Sequence, residues 1–136
     1  VRHVLLVSHG EFAPGLHKAL EMLAGEREDL MSVSLKNGMG QDEFADEVRN
    51  LLKKVKADDE LIVFADIIGG SPLTTTADVA SELGILGNTR MIGGMNLPLV
   101  LTTLVEDEGV NDEIIENARE QIKEFRIEAS VDDDEI

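Results

Sequence analysis

The chain has no cysteine, no tryptophan and no tyrosine, and only three prolines among its 136 residues. Without cysteine there are no disulfides, no thiolate nucleophile and no thiolate zinc site, a usage that suits a reducing compartment. Aromatics amount to 3% of the chain, so the core must be aliphatic and platforms for stacking bases are missing. Basic residues are scarce as well: 12 against 28 acidic ones, a formal net charge of −16. Such a surface repels nucleic acid and anionic lipid, attracts basic partners, and disfavours small anions unless a site concentrates donors. Long apolar runs are also lacking. The first, residues 4–7, is far too short for a signal peptide or a membrane span, and no later run reaches that length. The expectation is a cytoplasmic protein that does not itself span a membrane.

What the chain does have is a hydrophobic fraction of 43%, enough for one globular domain with a sizeable core and too short for two comfortable ones. Residues 1–131 read as that single domain and residues 132–136 as an acidic tail.

Val4-Leu5-Leu6-Val7 is a continuous apolar run, the mark of a strand buried on both faces. Residues 14–24 follow with Leu16, Ala19, Leu20 and Leu23 at helical spacing, stopped by Gly25. Residues 30–35 alternate as a second strand. Phe44, Val48, Leu51, Leu52 and Val55 then outline a helix. Leu61-Ile62-Val63-Phe64-Ala65 is the clearest buried strand, ending at Asp66. After Gly69-Gly70, Ser71-Pro72 opens a helix to about Leu83. Residues 89–92 are a short fourth strand, and residues 97–105 form a helix opened by Pro98. Residues 111–125 read as a last amphipathic helix with Ile114, Ile115, Ala118, Ile122 and Phe125 on one side. Residues 126–131 are a candidate final strand. Alternating strands and helices predict an α/β fold: a small doubly wound, mainly parallel sheet in the order 2-1-3-4, flanked by helices.

In such a sheet function gathers beyond the carboxyl ends of the strands, at the switch between strands 1 and 3. His9 lies just past strand 1 and Asp66 closes strand 3, so the topology predicts that they meet. A carboxylate beside an imidazole accepts Nδ1–H, which fixes the tautomer and leaves Nε2 a free lone pair. It also stabilises the positive charge that develops when Nε2 attacks. Gly69, Gly70 and Ser71 would add backbone approach, a helix cap and the positive end of a helix dipole, which together receive an anion. The set suits a histidine that briefly carries a phosphoryl group, since phosphoryl transfer asks mainly for positioning and for stabilised equatorial oxygens. Ser71 is read as the N-cap, with Pro72 at the first helical position. His3 and His17 have no such company and read as a surface residue at a strand start and a helix-face residue.

Three blocks in order, Ser8-His9-Gly10 with Phe12-Ala13, Asp66 with Gly69-Gly70-Ser71-Pro72, and Gly94-Met95-Asn96-Leu97-Pro98, make the chain resemble the IIA domain of the mannose-type phosphoenolpyruvate:sugar phosphotransferase system. The resemblance covers nearly the whole chain. It implies that His9 accepts a phosphoryl group from the carrier protein HPr on Nε2 and passes it to a IIB component for sugar uptake. By the same resemblance Asp66 orients the ring, Ser71 lies at the phosphate, and Gly10, Phe12, Asn96 and Pro98 form a supporting rim. It implies no metal and no organic cofactor, and a homodimer that exchanges a C-terminal strand, here residues 126–131. Two features depart from relatives. Ile67-Ile68 stand where some carry Thr-Trp, and no IIB domain follows within these residues, so IIB is expected as a separate polypeptide.

Other readings rank lower. The related subunit that feeds dihydroxyacetone kinase also has an early histidine but does not usually show the Gly-Gly-Ser-Pro block. A Ser-His-Asp hydrolase using Ser71, His9 and Asp66 would need an exposed elbow such as Gly-x-Ser-x-Gly, and Pro72 removes the N–H that an oxyanion hole would use. A receiver phosphorylated on Asp66 would need an acidic pair after strand 1, where Ser8-His9 stand. No Gly-x-Gly-x-x-Gly follows any strand, against a dinucleotide site.

Overall fold

The computed structural model describes residues 1–128. Its elements are β1 (Arg2–His9), α1 (Phe12–Ala24), β2 (Leu30–Leu35), α2 (Gln41–Leu52), β3 (Glu60–Ala65), α3 (Ser71–Glu82), a 3₁₀ turn (Leu86–Asn88), β4 (Thr89–Ile92), α4 (Leu97–Val105) and α5 (Asp112–Glu120). The sheet runs β2-β1-β3-β4 with every pairing parallel, the expected order.

The two central strands explain the apolar runs. Val4 to Val7 and Leu61 to Ala65 have no exposed surface, because helices cover both faces of a parallel sheet. On one face Leu5, Val7 and Val63 pack with Phe44 and Val48 of α2 and Val79 and Ala80 of α3. On the other, Val4, Leu6 and Phe64 pack with Leu20 of α1, Leu99 and Val100 of α4, and Ile114 of α5. Each fully buried aliphatic side chain of this kind contributes about 1.5–3 kcal/mol. The two layers are held apart by strands that carry no polar side chain between Val4 and Val7, so the polar residues at the strand ends are fixed in position by the core beneath them.

Several details differ from the sequence-based expectation. Helix α1 starts at Phe12 rather than Pro14, because Ser8 Oγ accepts the Ala13 N–H at 2.7 Å and so satisfies a first-turn donor from outside the helix. Pro14 is then third in the helix, where its missing N–H still costs nothing. The N-cap of α3 is Gly70, in extended conformation, while Ser71 is the first helical residue and Pro72 the second. Helix α5 ends at Glu120, and Ile122 and Phe125 are exposed. The helix reaches the start of α4 at Ala118, whose carbonyl accepts Asn96 Nδ2–H at 3.2 Å, and its next apolar positions run past that contact. His3 is buried rather than on the surface, with Nε2 3.0 Å from Asp59 Oδ2. Residues 126–128 form no strand among the described residues; 129–131 and the acidic tail lie outside them.

Candidate active site

The carboxyl edge of the sheet brings His9 and Asp66 together. The strands pair Val7 with Ala65, and the Asp66 N–H continues the ladder to the Val7 carbonyl at 3.3 Å. This leaves the Asp66 side chain beside His9. Its Oδ2 accepts two hydrogen bonds from that one residue, from the backbone N–H at 2.9 Å and from ring Nδ1 at 2.9 Å. Oδ1 accepts the Ile67 N–H at 2.9 Å. Partial burial opposes charge on Asp66, but the His9 N–H, the ring and the Ile67 N–H outweigh it and hold the carboxyl below its ordinary value of 3.8. Asp66 is therefore ionised at neutral pH and can only accept, so Nδ1 carries the proton and Nε2 keeps its lone pair.

The His9 side chain is 48% exposed and that of Asp66 only 16%. The carboxylate is thus shielded while the far side of the ring is open. Among the described residues no group hydrogen-bonds His9 Nε2. The arrangement offers a nucleophilic nitrogen to solvent, backed by a fixed negative charge that stabilises an imidazolium.

The β3–α3 turn supplies the anion-receptive part. Gly69 adopts φ +80°, which lets the chain turn back over the strand ends. Gly70 presses against the ring: a Cβ there would lie 3.2 Å from His9 Cε1 and 3.0 Å from Ile67 Cγ1. The N–H groups of Leu73 and Thr74 both donate to the Gly70 carbonyl, at 3.1 and 3.0 Å, and Pro72 has none. Among the described residues the N–H groups of Gly70 and Ser71 have no protein acceptor. They lie at the positive end of the α3 dipole. Ser71 Oγ accepts a hydrogen bond from Gln41 Nε2 at 3.1 Å.

The remaining predicted residues lie around this centre in different ways. Gly10, at φ +57°, makes the turn out of β1 and donates its N–H to the Leu35 carbonyl at 2.9 Å. Phe12 is half exposed at the start of α1. Asn96 and Pro98 belong to the α4 start. The Asn96 carbonyl oxygen caps the Leu99 N–H at 2.9 Å and Pro98 is second in the helix. Their turn supports the site from behind, since the Met95 N–H donates to the Ala65 carbonyl at 2.9 Å. Gly93 lies so close to Ile68 that a Cβ would fall 2.6 Å from its Cα.

Sequence reasoning missed three contributors. Ser8 Oγ, fully buried, takes the Ala13 N–H and donates to the His9 carbonyl at 3.1 Å. Gln41 reaches Ser71 from α2. Gly93 bears the 66–70 turn. The serine is visible beside His9, but its partner five residues on matches no common cap spacing. Gln41 and Ser71 are thirty residues apart with no pattern that pairs them. Gly93-Gly94 reads as a turn, and the sequence is silent on what rests on it. Among the described residues no helix is long and apolar enough to cross a membrane, and no cluster of three metal-ligating side chains forms.

Known proteins resemble the chain over most of its length. The family profile EIIA-man, described as PTS system fructose IIA component, matches residues 3–123. The PTS system fructose-specific EIIA component of Bacillus subtilis is 29% identical over 101 residues, covering 74% of this chain and 67% of that protein. The PTS system mannose-specific EIIAB component of Escherichia coli K12 is 25% identical over 129 residues. That alignment takes in 90% of this chain but 39% of the Escherichia coli protein, so the chain spans well under half of that relative. Among solved structures, the PTS IIA protein associated with the fucose utilization operon from Streptococcus pneumoniae superposes with a TM-score of 0.79 at 28% identity, over 90% of this chain and 92% of that one. The mannose/sorbose specific IIA subunit from Enterococcus faecalis superposes at 0.78 with 23% identity, over 93% and 96%, a likeness of fold.

Proposed function

The chain belongs to the EIIA-man family, the IIA components of mannose- and fructose-type sugar phosphotransferase systems, and on that premise we propose that His9 is its phosphoryl-carrying residue. The family performs phosphoryl transfer in sugar uptake, in exchange with HPr and IIB components. In our reading His9 Nε2 attacks the phosphorus of a phosphohistidine on HPr. The new Nε2–P bond forms as the donor's P–N bond breaks, and the departing imidazole keeps the bonding pair. Asp66 stabilises the cationic phosphoimidazole through Nδ1–H, and the N–H groups of Gly70 and Ser71 with the Ser71 hydroxyl receive the phosphoryl oxygens. The same step in the other direction delivers the group to a nucleophile on IIB. No metal or organic cofactor enters this scheme.

The observation that carries the proposal is the double acceptance by Asp66 Oδ2 of the His9 N–H and Nδ1–H, with the other ring nitrogen open. The exposed apolar side chains of Phe12, Ile67 and Ile68 near it suit a protein partner better than a small solute. The hydrolase reading lacks its central contact: Ser71 Oγ bonds Gln41, and the His9 nitrogen with a protein partner bonds Asp66.

The test is phosphorylation by phosphoenolpyruvate, the general kinase of the system and HPr. The label should be acid-labile, base-stable and absent from His9→Ala. Label that persists in that variant, or that is lost in base as an acyl phosphate would be, rejects the assignment. The reading extends to a single IIA domain over residues 1–131, a cytoplasmic location, and a homodimer exchanging residues 126–131. The unpaired outer edge of β4, last in the described sheet, is where an added strand would fit. A chain ending at residue 125 should then be monomeric by light scattering.

A further inference from the structure

The turn that would hold a phosphoryl group on His9 is reached by a side chain from a third element. Gln41 is the first residue of α2, and α2 follows β2, whose last residue, Leu35, pairs with His9 in the sheet. The start of α2 therefore lies on the same edge as His9 and Asp66. From there Gln41 Nε2 lies 3.1 Å from Ser71 Oγ. A primary amide nitrogen only donates, so the serine oxygen uses a lone pair to accept. The serine proton is left to point elsewhere. Ser71 Oγ has no other partner among the described residues.

The placement of Gln41 is itself fixed. Phe44 and Val48 of α2 are fully buried against the sheet. At the far ends of the two helices Arg49 grips Glu82 with two hydrogen bonds, Nε to Oε2 at 2.7 Å and Nη2 to Oε1 at 3.1 Å. Helices α2 and α3 are thus tied at both ends, by an ion pair away from the site and by the Gln41–Ser71 bond at it. The ion pair is exposed and of little energetic consequence, but with the buried face of α2 it sets the register that lets the amide reach the hydroxyl.

We propose that Gln41 is a positioning residue for phosphoryl transfer: by donating to Ser71 Oγ it aims the Ser71 hydroxyl proton at an oxygen of the phosphoryl group on His9. The inference rests on His9 being the carrier. Without the amide, the hydroxyl is free to turn back to a carbonyl of the turn before α3, in the way Thr74 Oγ1 bonds the Gly70 carbonyl four residues back at 3.2 Å. The donor would then be lost to the phosphoryl group.

The test uses the full chain with two phosphoryl sources, phosphorylated HPr and the small donor phosphoramidate, and reads the rate of label uptake. His9→Ala is measured beside every variant; its failure to abolish label would remove the carrier reading and is seen independently of Gln41. Loss of one oriented hydrogen bond predicts rates down about 3–10-fold for both Gln41→Ala and Gln41→Leu, with either donor. Gln41→Glu, which can only accept and would take the hydroxyl proton, should be slower than Gln41→Leu. Ser71→Ala should be slowed at least as much as Gln41→Ala, and the Gln41→Ala, Ser71→Ala double variant should be no slower than Ser71→Ala alone. Wild-type rates in Gln41→Ala and Gln41→Leu would overturn the proposal. So would a double variant whose loss is the product of the two single losses, or a loss confined to HPr, which would mark Gln41 as a docking residue.

Discussion

Strand β1 carries two histidine–aspartate pairs six residues apart, one at each end of the sheet. His3 Nε2 lies 3.0 Å from Asp59 Oδ2, and His9 Nδ1 lies 2.9 Å from Asp66 Oδ2. The pairs match in chemistry and separation and differ in everything around them. The His3 ring is 9% exposed and its other nitrogen, Nδ1, is buried without a partner among the described residues. The His9 ring is 48% exposed with its second nitrogen open. Asp59 also takes the Lys56 N–H at 3.0 Å. Asp66 spends its bonds on His9 and on the first residue of the anion-receptive turn. A histidine–carboxylate pair is therefore a fastening at the amino edge and a poised nucleophile at the carboxyl edge. The difference lies in which nitrogen is left over, and whether anything can reach it.

The sharpest way to break that contrast is to remove each ring. His9→Ala should take phosphoryl labelling to background with the fold unchanged. His3→Ala should leave full labelling and cost about 1–3 kcal/mol of stability, because it strands a buried acceptor. If His3→Ala abolished labelling in a folded protein, the two ends would not be separable. The carboxylates come next. Asp66→Ala should slow labelling on the order of 10²-fold through loss of ring orientation and charge. Asp59→Asn should leave the rate within about twofold, because Asp59 lies at the opposite edge of the sheet from the chemistry. Equal losses in both would show that Asp66 acts only through the fold.

Acid separates the pairs in stability rather than rate. The Lys56 N–H and the His3 ring bring Asp59 down to about 2 from 3.8, against its partial desolvation. A depressed carboxyl stabilises the fold above its unfolded value and loses that contribution as pH falls through its folded value. The Asp59 contribution is thus complete above about pH 4 and disappears toward pH 2. Asp66 is lowered as well, with burial opposing its hydrogen bonds. Asp59→Asn should therefore flatten the fall of denaturation midpoint between pH 4 and 2 more than Asp66→Asn. An unchanged acid slope in Asp59→Asn would mean that the buried pair is not a fastening of the native state.

The same contrast marks how far residues alone can be read. The sheet order and the meeting of His9 with Asp66 were legible because two apolar runs, Val4 to Val7 and Leu61 to Ala65, had to be central parallel strands, and each ends in a chemically distinctive residue. His3 reads as a surface residue because its partner, Asp59, stands in an acidic loop that reads as solvent-facing; only the pairing of His3 with Leu61 in the sheet carries that loop under the ring. Ser71 reads as a cap because serine favours that role, whereas Gly70 takes the extended cap geometry and frees the hydroxyl for Gln41. Ile122 and Phe125 follow helical spacing, but periodicity does not say where the surface beneath a helix stops. Local pattern gave the elements, and contacts between distant loops gave the finer parts of the site.

The smallest expected effect tests closeness rather than charge. At Gly70 the ordinary negative φ of −83° tolerates any residue, so alanine there is not strained by its backbone. Its Cβ would meet His9 Cε1 at 3.2 Å and Ile67 Cγ1 at 3.0 Å, tighter than ordinary van der Waals contact, so a neighbour must give by a few tenths of an ångström. Ile67 can yield, being a half-exposed side chain. The ring cannot yield as readily, because Asp66 holds it at Nδ1. Gly70→Ala should therefore slow labelling by about 2–5-fold, as a modest loss of geometry would, with the melting temperature little changed. The effect should vanish when Asp66 is also replaced, since an unclamped ring can swing away from the added methyl. A loss of equal size in the Asp66→Ala background would place the cost in the turn itself and not in the contact between glycine and imidazole.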